Sequence, residues 1–242
     1  MTLQQGWESE AQNWAQFARM PGGDMSHELT NKPVLLEVLP PPGRATLDLA
    51  CGEGRLSRLL RSLGHRVVGL DGSPTMTRLA ATHEDRSSVL LANGGQLPFA
   101  DGAFDLVVAY MCLQDFDDMP GAVTEIARVL EAAGRLCLAI PHPINTAGSF
   151  EGKDPDAPFM ISGSYMEPAR FSDVVERDGI RLTFHGEHRP LVAYTRALEE
   201  AGLLIEALRE ATPPDSEAER LPKERRWQRV PIFLHLRAIK PR

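Results

Sequence analysis

The chain is short of positive charge, of cysteine and of long apolar runs. Its 242 residues carry 26 Lys and Arg against 33 Asp and Glu, a formal net charge of -7. That balance argues against non-specific binding to nucleic acid or an anionic membrane, since both favour basic surfaces. No apolar run approaches the ~20 residues that a spanning helix needs. Residues 1–10 lack the basic-then-apolar order of a secretory leader, so a cytoplasmic location is expected. Cys51, Cys112 and Cys137 are an odd, widely spaced set, each at or near the end of a strand-like run. They suit buried thiols in a reducing compartment better than a disulfide framework or a zinc site. There is no internal repeat and no low-complexity tract. What remains is an ordinary globular composition, 43% hydrophobic, long enough for one α/β domain with elaborations.

Periodicity supplies the order of elements. Residues 1–20 read as a helix with Trp7, Ala11, Trp14, Ala15 and Ala18 on one face, stopped by Pro21-Gly22-Gly23. A second helix is expected over Glu28 to Val38, before Pro40-Pro41-Pro42-Gly43. Strand-like runs then fall at Ala45–Ala50, Arg66–Leu70, Ser88–Ala92, Phe104–Met111 and Arg135–Ile140. Helical segments lie between them near Arg55–Leu63, Pro74–Thr82 and Ala122–Glu131. This alternation predicts an α/β fold, a Rossmann-like, mostly parallel, doubly wound sheet of about seven strands. Residues 141–190 break the rhythm and read as an insertion after the fifth strand, lying over the carboxyl edge of the sheet. Within it, Phe171–Glu176 and Ile180–His185 form a hairpin through Asp178-Gly179. A helix at Leu191–Ala201, a strand at Leu203–Leu208, a polar loop over Thr212–Pro222 and a strand at Val230–Ile239 complete the chain. The organisation expected is one domain: an N-terminal helical cap (1–42), a cofactor-binding core (43–140), a substrate-side insertion (141–190) and a C-terminal part (191–242).

The core is organised around Leu47-Asp48-Leu49-Ala50-Cys51-Gly52-Glu53-Gly54-Arg55-Leu56-Ser57, a strand, a glycine turn and a helix start. Open α/β sheets bind nucleotide-like ligands at such turns. A dinucleotide fingerprint wants a third glycine, and Ser57 stands there. Asp48 on the strand and Glu53 in the turn would repel a pyrophosphate and suit a ligand that is cationic at that end. Asp71 ends the next strand, where a carboxylate can take both hydroxyls of an adenosine ribose.

Several ordered segments now resemble one family. Leu47–Leu56, Gly69–Met76, Asn93–Asp105 and Gly121–Leu138 are similar to successive motifs of the class I S-adenosylmethionine-dependent methyltransferases, in the small-molecule branch that includes quinone-biosynthesis enzymes. The resemblance implies S-adenosyl-L-methionine as cofactor and S-adenosyl-L-homocysteine as product. It implies that Ala50, Gly52 and Gly54 lie under the methionine moiety with Asp48 near its ammonium. Asp71 and Gly72 would sit at the ribose, Met76 on the adenine, and Asn93 and Gly94 at the adenine edge. Tyr110 would face the methionine end. The family's usual His pair is replaced by Gln114-Asp115.

Methyl transfer needs alignment and water exclusion, with a base only where the acceptor must lose a proton. His142, immediately after the fifth strand, is the candidate base or orienting group, beside a structural reading as a turn residue. Trp7, Trp14, Gln114, His142 and Tyr165 are the candidate substrate contacts. His27, His185 and His188 read as packing residues. The basic cluster Lys223–Arg229, with Trp227, reads as a solvated loop rather than a nucleic-acid contact. No N/D-P-P-Y/F motif of base-modifying enzymes follows the fourth strand, so a small-molecule acceptor at O or N, heterocyclic or aromatic, is expected and no metal. The competing readings are an NAD(P)-dependent oxidoreductase and a non-catalytic cofactor-binding scaffold.

Overall fold

A computed structural model describes residues 1–20, 22, 24–82, 88–220 and 222–242. Helix α1 (Leu3–Arg19) starts on a capping box: Thr2 Oγ1 accepts the Gln5 N–H and Gln5 Oε1 accepts the Thr2 N–H. A π-helical turn over His27–Asn31 runs into α2 (Lys32–Val38). Then β1 (Thr46–Leu49), α3 (Arg55–Ser62), β2 (Val67–Asp71), α4 (Pro74–Ala81), β3 (Ser88–Leu91) and β4 (Phe104–Tyr110) alternate. They are followed by α5 (Met119–Val129) and β5 (Leu130–Pro141).

The insertion holds α6 (Pro143–Thr146) and the short pair β6 (Gly148–Phe150) and β7 (Phe159–Ile161). Its hairpin joins β8 (Ala169–Arg177) to β9 (Ile180–His188). Asp178 and Gly179 at the tip have φ of 49° and 80°, the left-handed pair that a two-residue hairpin turn requires. Helix α7 (Leu191–Glu200), β10 (Leu204–Ala211), α8 (Asp215–Arg220) and β11 (Phe233–Ile239) end the chain.

Seven strands form one sheet in the order β3-β2-β1-β4-β5-β11-β10. The pairs from β3 to β5 are parallel; β11 runs antiparallel to both β5 and β10. Both faces are covered, which is why the central strands are apolar throughout. Leu47, Leu49, Val107, Leu136 and Leu138 pack with α5 and α7, while Val67, Leu106, Val108 and Cys137 pack with α2 and α3. Truncating a fully buried leucine such as Leu47 or Leu138 to alanine would cost roughly 2–5 kcal/mol. Connections leave β1 and β4 in opposite directions, so a crevice opens where their carboxyl ends meet.

The N-terminal helix and the hairpin cover that crevice together. Trp7, Trp14 and Phe17 of α1 meet Phe184 of β9, with ring centroids 5.8–6.5 Å apart. Such aromatic pairs contribute roughly 0.5–1.5 kcal/mol each beyond the area they bury. Glu8 anchors the same helix to the start of α4, accepting from Ser73 Oγ and from Thr75 Oγ1 at 2.7 Å.

Two expectations need correction. Residues 212–222 are not all loop: α8 occupies Asp215–Arg220, although Leu221 lies outside the described residues. The fifth helix starts at Met119, because Asp118 accepts the Gly121 N–H as its cap, and gives way at Leu130 to a strand longer than the apolar run suggested. The stop expected at Pro21-Gly22-Gly23 falls partly outside the described residues. Met20 caps α1 before it, its N–H bonded to the Gln16 and Phe17 carbonyls.

Candidate active site

The glycine turn is built by left-handed backbone. Ala50, Gly52 and Gly54 have φ of 54°, 57° and 87°, conformations that favour glycine at the latter two. Asp71 then ties the turn to the end of β2: one carboxylate oxygen accepts the Gly52 N–H and the other the Ser73 N–H, both at 2.8 Å. Burial raises its pKa against the opposing pull of those bonds. Its remaining lone pairs are where further donors can bind.

Asp48 is buried beneath the turn and takes a 2.6 Å hydrogen bond from Ser57 Oγ. Burial, reinforced by the charge of Asp71, pushes its carboxyl up to about 7. Position 57 is therefore a serine because it serves Asp48, where a dinucleotide site would need a third glycine. Glu53 behaves differently. Its carboxylate is committed to Arg19 and Arg58 at 2.8 and 2.7 Å, so it anchors α1 to the turn.

Above this floor lies a cavity of about 1070 Å³, enough for a nucleoside cofactor and a small acceptor together. Of the sequence-predicted residues, Asp48, Ala50, Gly52, Asp71, Gly72, Met76, Asn93, Gly94 and Tyr110 line it, as do Trp7, Trp14 and Gln114. Close approach explains the glycine at 94, against a ring, better than the one at 72, where the neighbour is the end of a flexible side chain. A Cβ at Gly72 would come within 2.9 Å of Gln4 Nε2, and one at Gly94 within 2.5 Å of the Phe116 ring.

Three predicted residues lie elsewhere. Gly54 stands at the N-cap of α3, under the cavity wall rather than on it. His142 turns away from the cavity: its Nδ1 accepts the Ile144 N–H, and its Nε2 meets Glu210 Oε1 at 3.0 Å. The turn reading of His142 accounts for both ring nitrogens. Tyr165 accepts the Leu191 N–H on its hydroxyl and braces His188. Trp227 packs edge-on against Phe150, with Arg226 and Arg229 over the same ring, which accounts for that part of the basic cluster.

The cavity also holds His27 and Asp115, which the sequence alone does not place in the site. His27 Nδ1 lies 2.8 Å from the Tyr110 hydroxyl. Burial and the nearby Arg55 push His27 down to about 4, so its ring is neutral at neutral pH and shares a hydrogen bond with the tyrosine hydroxyl. Asp115 opens onto the cavity but is otherwise deep in protein, and burial holds its carboxyl well above the usual carboxylate range. Trp7 Nε1, Asn31 Oδ1 and Gln114 Oε1 are buried without a hydrogen-bond partner among the described residues. For Asp115, the signal was present as the departure from the family's His pair. For His27 there was none, because it meets Tyr110 across 83 residues.

Charge decides what fits. The lining carries eight acidic side chains (Asp24, Asp48, Glu53, Asp71, Asp115, Asp117, Asp118 and Asp173), of which Glu53 is paired with Arg19 and Arg58, and two arginines, Arg55 and Arg177. A pyrophosphate would meet repulsion there; a sulfonium and an ammonium would meet attraction. The unpaired polar atoms likewise call for a polar ligand. These residues fit S-adenosylmethionine, and Asp71, Asp48 and the glycine turn would hold it. Among the described residues, no group of three His, Cys, Asp or Glu could hold a metal, and no helix is long and apolar enough to cross a membrane.

Comparison with known proteins agrees. Residues 47–138 match a family model described as a methyltransferase domain. A malonyl-[acyl-carrier protein] O-methyltransferase of Serratia marcescens is 36% identical over 93 residues, covering 38% of this chain and 36% of that one. A demethylmenaquinone methyltransferase of Tropheryma whipplei is 33% identical over 104 residues, covering 42% and 44%. The match thus spans less than half the length of either relative. By structure, a crystallised S-adenosylmethionine-dependent methyltransferase of Mesorhizobium loti superimposes with a TM-score of 0.71 at 24% identity, over 86% of this chain and 96% of that one. Residues 47–138 are thus similar to a methyltransferase domain, and the chain has the fold of the crystallised S-adenosylmethionine-dependent methyltransferase.

Proposed function

We propose that the protein transfers a methyl group from S-adenosylmethionine to an O or N atom of a small aromatic or heterocyclic acceptor, in the cytoplasm. The observation that carries this reading is the acidic cavity at the β1/β4 crevice, walled by the glycine turn, Asp71 and a cluster of aromatic rings. When bound, the cofactor supplies an electrophilic methyl carbon. The protein's part is alignment and exclusion of water. Asp71 and the turn fix the nucleoside end. Trp7, Trp14 and Phe184 close the opposite wall, and their flat faces suit a planar acceptor. In this reading the 1–42 cap and the 141–190 insertion recognise the acceptor, because the cofactor floor is complete without them.

The two curated relatives act on an acyl carrier protein and on a quinone precursor, as their names state. Their shared segment is the cofactor-binding core, so neither acceptor carries over. The acidic lining favours a small molecule over nucleic acid. The test is incubation of the protein with S-adenosylmethionine and a panel of phenols, amines and N-heterocycles, read by mass spectrometry. The reading expects a product heavier by one CH₂ together with S-adenosylhomocysteine. Failure to bind S-adenosylhomocysteine would overturn it.

A further inference from the structure

Besides Trp7 Nε1, a donor without a partner among the described residues, the acceptor side of the cavity offers several hydrogen-bond acceptors. Gln114 fixes this most clearly. Its Nε2 donates to the Met111 carbonyl and to Asp115 Oδ2, at 2.8 and 2.9 Å. Those two bonds set the amide orientation, since a flipped amide would present its oxygen to two other acceptors. Gln114 Oε1 is therefore an acceptor on the cavity wall, 95% buried and without a partner among the described residues. An unsatisfied buried acceptor is disfavoured by ~1–3 kcal/mol, which a ligand donor would relieve.

Two neighbours repeat the pattern. Asn31 Oδ1 is buried and unpartnered on the same cavity. Asp115, next to Gln114, opens onto the cavity; burial favours its neutral form, and a cation bound beside it would favour the carboxylate. The positive charge behind it, Arg189, is already held by Glu187 Oε2 and the Phe116 carbonyl, both at 2.7 Å. Trp7, Trp14, Phe17 and Phe184 line the same space, and aromatic faces attract cations. Carboxylate, paired carbonyl acceptors and aromatic walls together form a site for a cation that donates several hydrogen bonds. A phenolate or a carboxylate has no proton to donate to Gln114 Oε1, Asn31 Oδ1 or Asp115.

We infer that the methyl acceptor is an amine, bound as an aryl-bearing ammonium with its N–H groups on Asp115 and Gln114. This rests on the methyltransferase reading above and narrows it to N-methylation. In the step, one ammonium proton passes to the Asp115 carboxylate and frees the nitrogen lone pair. The new C–N bond forms as the carbon–sulfur bond breaks, and that bond's electron pair stays on sulfur. The product leaves as an N-methylammonium, and Asp115 returns its proton to solvent.

The test uses the full chain saturated with S-adenosylhomocysteine and isosteric probes: 2-phenylethylamine, tryptamine, 2-phenylethanol and 3-phenylpropionate. Binding is followed by isothermal titration calorimetry. At least one amine should bind tenfold or more tighter than the alcohol, with the acid weakest. Asp115→Asn, which keeps the side-chain shape, should weaken amine binding about tenfold or more and leave S-adenosylhomocysteine affinity within twofold. Equal affinity for amine and alcohol, no amine binding, or amine binding unaffected by Asp115→Asn would each overturn the inference. The wild-type selectivity needs no variant, so a misfolded D115N protein would not rescue it. If S-adenosylhomocysteine does not bind, the methyltransferase reading fails instead.

Discussion

Asp48 is held under the glycine turn at a cost that pH should reveal. The unfolded chain ionises an aspartate near 3.8, whereas burial raises this one to about 7. Between those values the unfolded state releases a proton that the folded state keeps, so stability falls as pH rises through the window. The whole span corresponds to roughly 4 kcal/mol, present in full only above the higher value. Asp48→Asn removes the ionisation while leaving an oxygen to accept from Ser57 Oγ. Relative to wild type, the variant should therefore gain stability steadily from pH 4 to pH 8. For a chain of this size the full gain equals a Tm difference of roughly 8–16 °C. Differential scanning fluorimetry of both proteins at pH 5, 6, 7 and 8 reads it, and the difference between them cancels the titrating groups that do not interact with Asp48. S-adenosylmethionine, with its sulfonium, should narrow the gap by favouring the ionised carboxylate. A Tm difference constant across the range would refute the reasoning, as would a variant less stable than wild type at pH 8.

Other expectations follow from single contacts. Gly54→Ala places a side chain at φ 87°, with its Cβ 3.2 Å from Arg58 Nη1; stability should fall by roughly 1–2 kcal/mol, seen as a lower urea midpoint. His235 is fully buried, both ring nitrogens are without a hydrogen-bond partner among the described residues, and its pKa is lowered to about 4. As pH falls from about 6.5 to 4, the unfolded state takes up a proton first and stability declines, so His235→Leu should flatten the acid limb of the Tm profile. Glu8→Ala releases α1 from Ser73 and Thr75. Amide exchange in residues 3–19 should then speed up, and S-adenosylhomocysteine should dissociate faster.

Legibility followed the range of the interactions. The strand–turn–helix at 47–57 and the parallel core were readable because burial on both faces leaves a local apolar signature. The Asp178-Gly179 hairpin was readable because its tip needs left-handed backbone. His142 illustrates the limit: its position at the sheet edge is a sequence fact, but its direction is set by Ile144 and by Glu210, 68 residues away. The π-helical turn that delivers His27 and Asn31 to the cavity has no periodic signal of its own. Asp115 was visible only as a departure from a pattern, and its meaning came from the unpaired Gln114 oxygen beside it. The helix α8 was hidden in a polar, proline-bearing stretch with no apolar face to announce it.

The most direct test of the central claim is calorimetric titration of the purified protein with S-adenosylhomocysteine, alongside NADH, in wild type and Asp71→Ala. Saturable one-to-one binding of S-adenosylhomocysteine, no heat from NADH, and affinity lowered about tenfold or more by Asp71→Ala are the results predicted. Absence of S-adenosylhomocysteine binding, or unchanged affinity in the variant, would contradict the account.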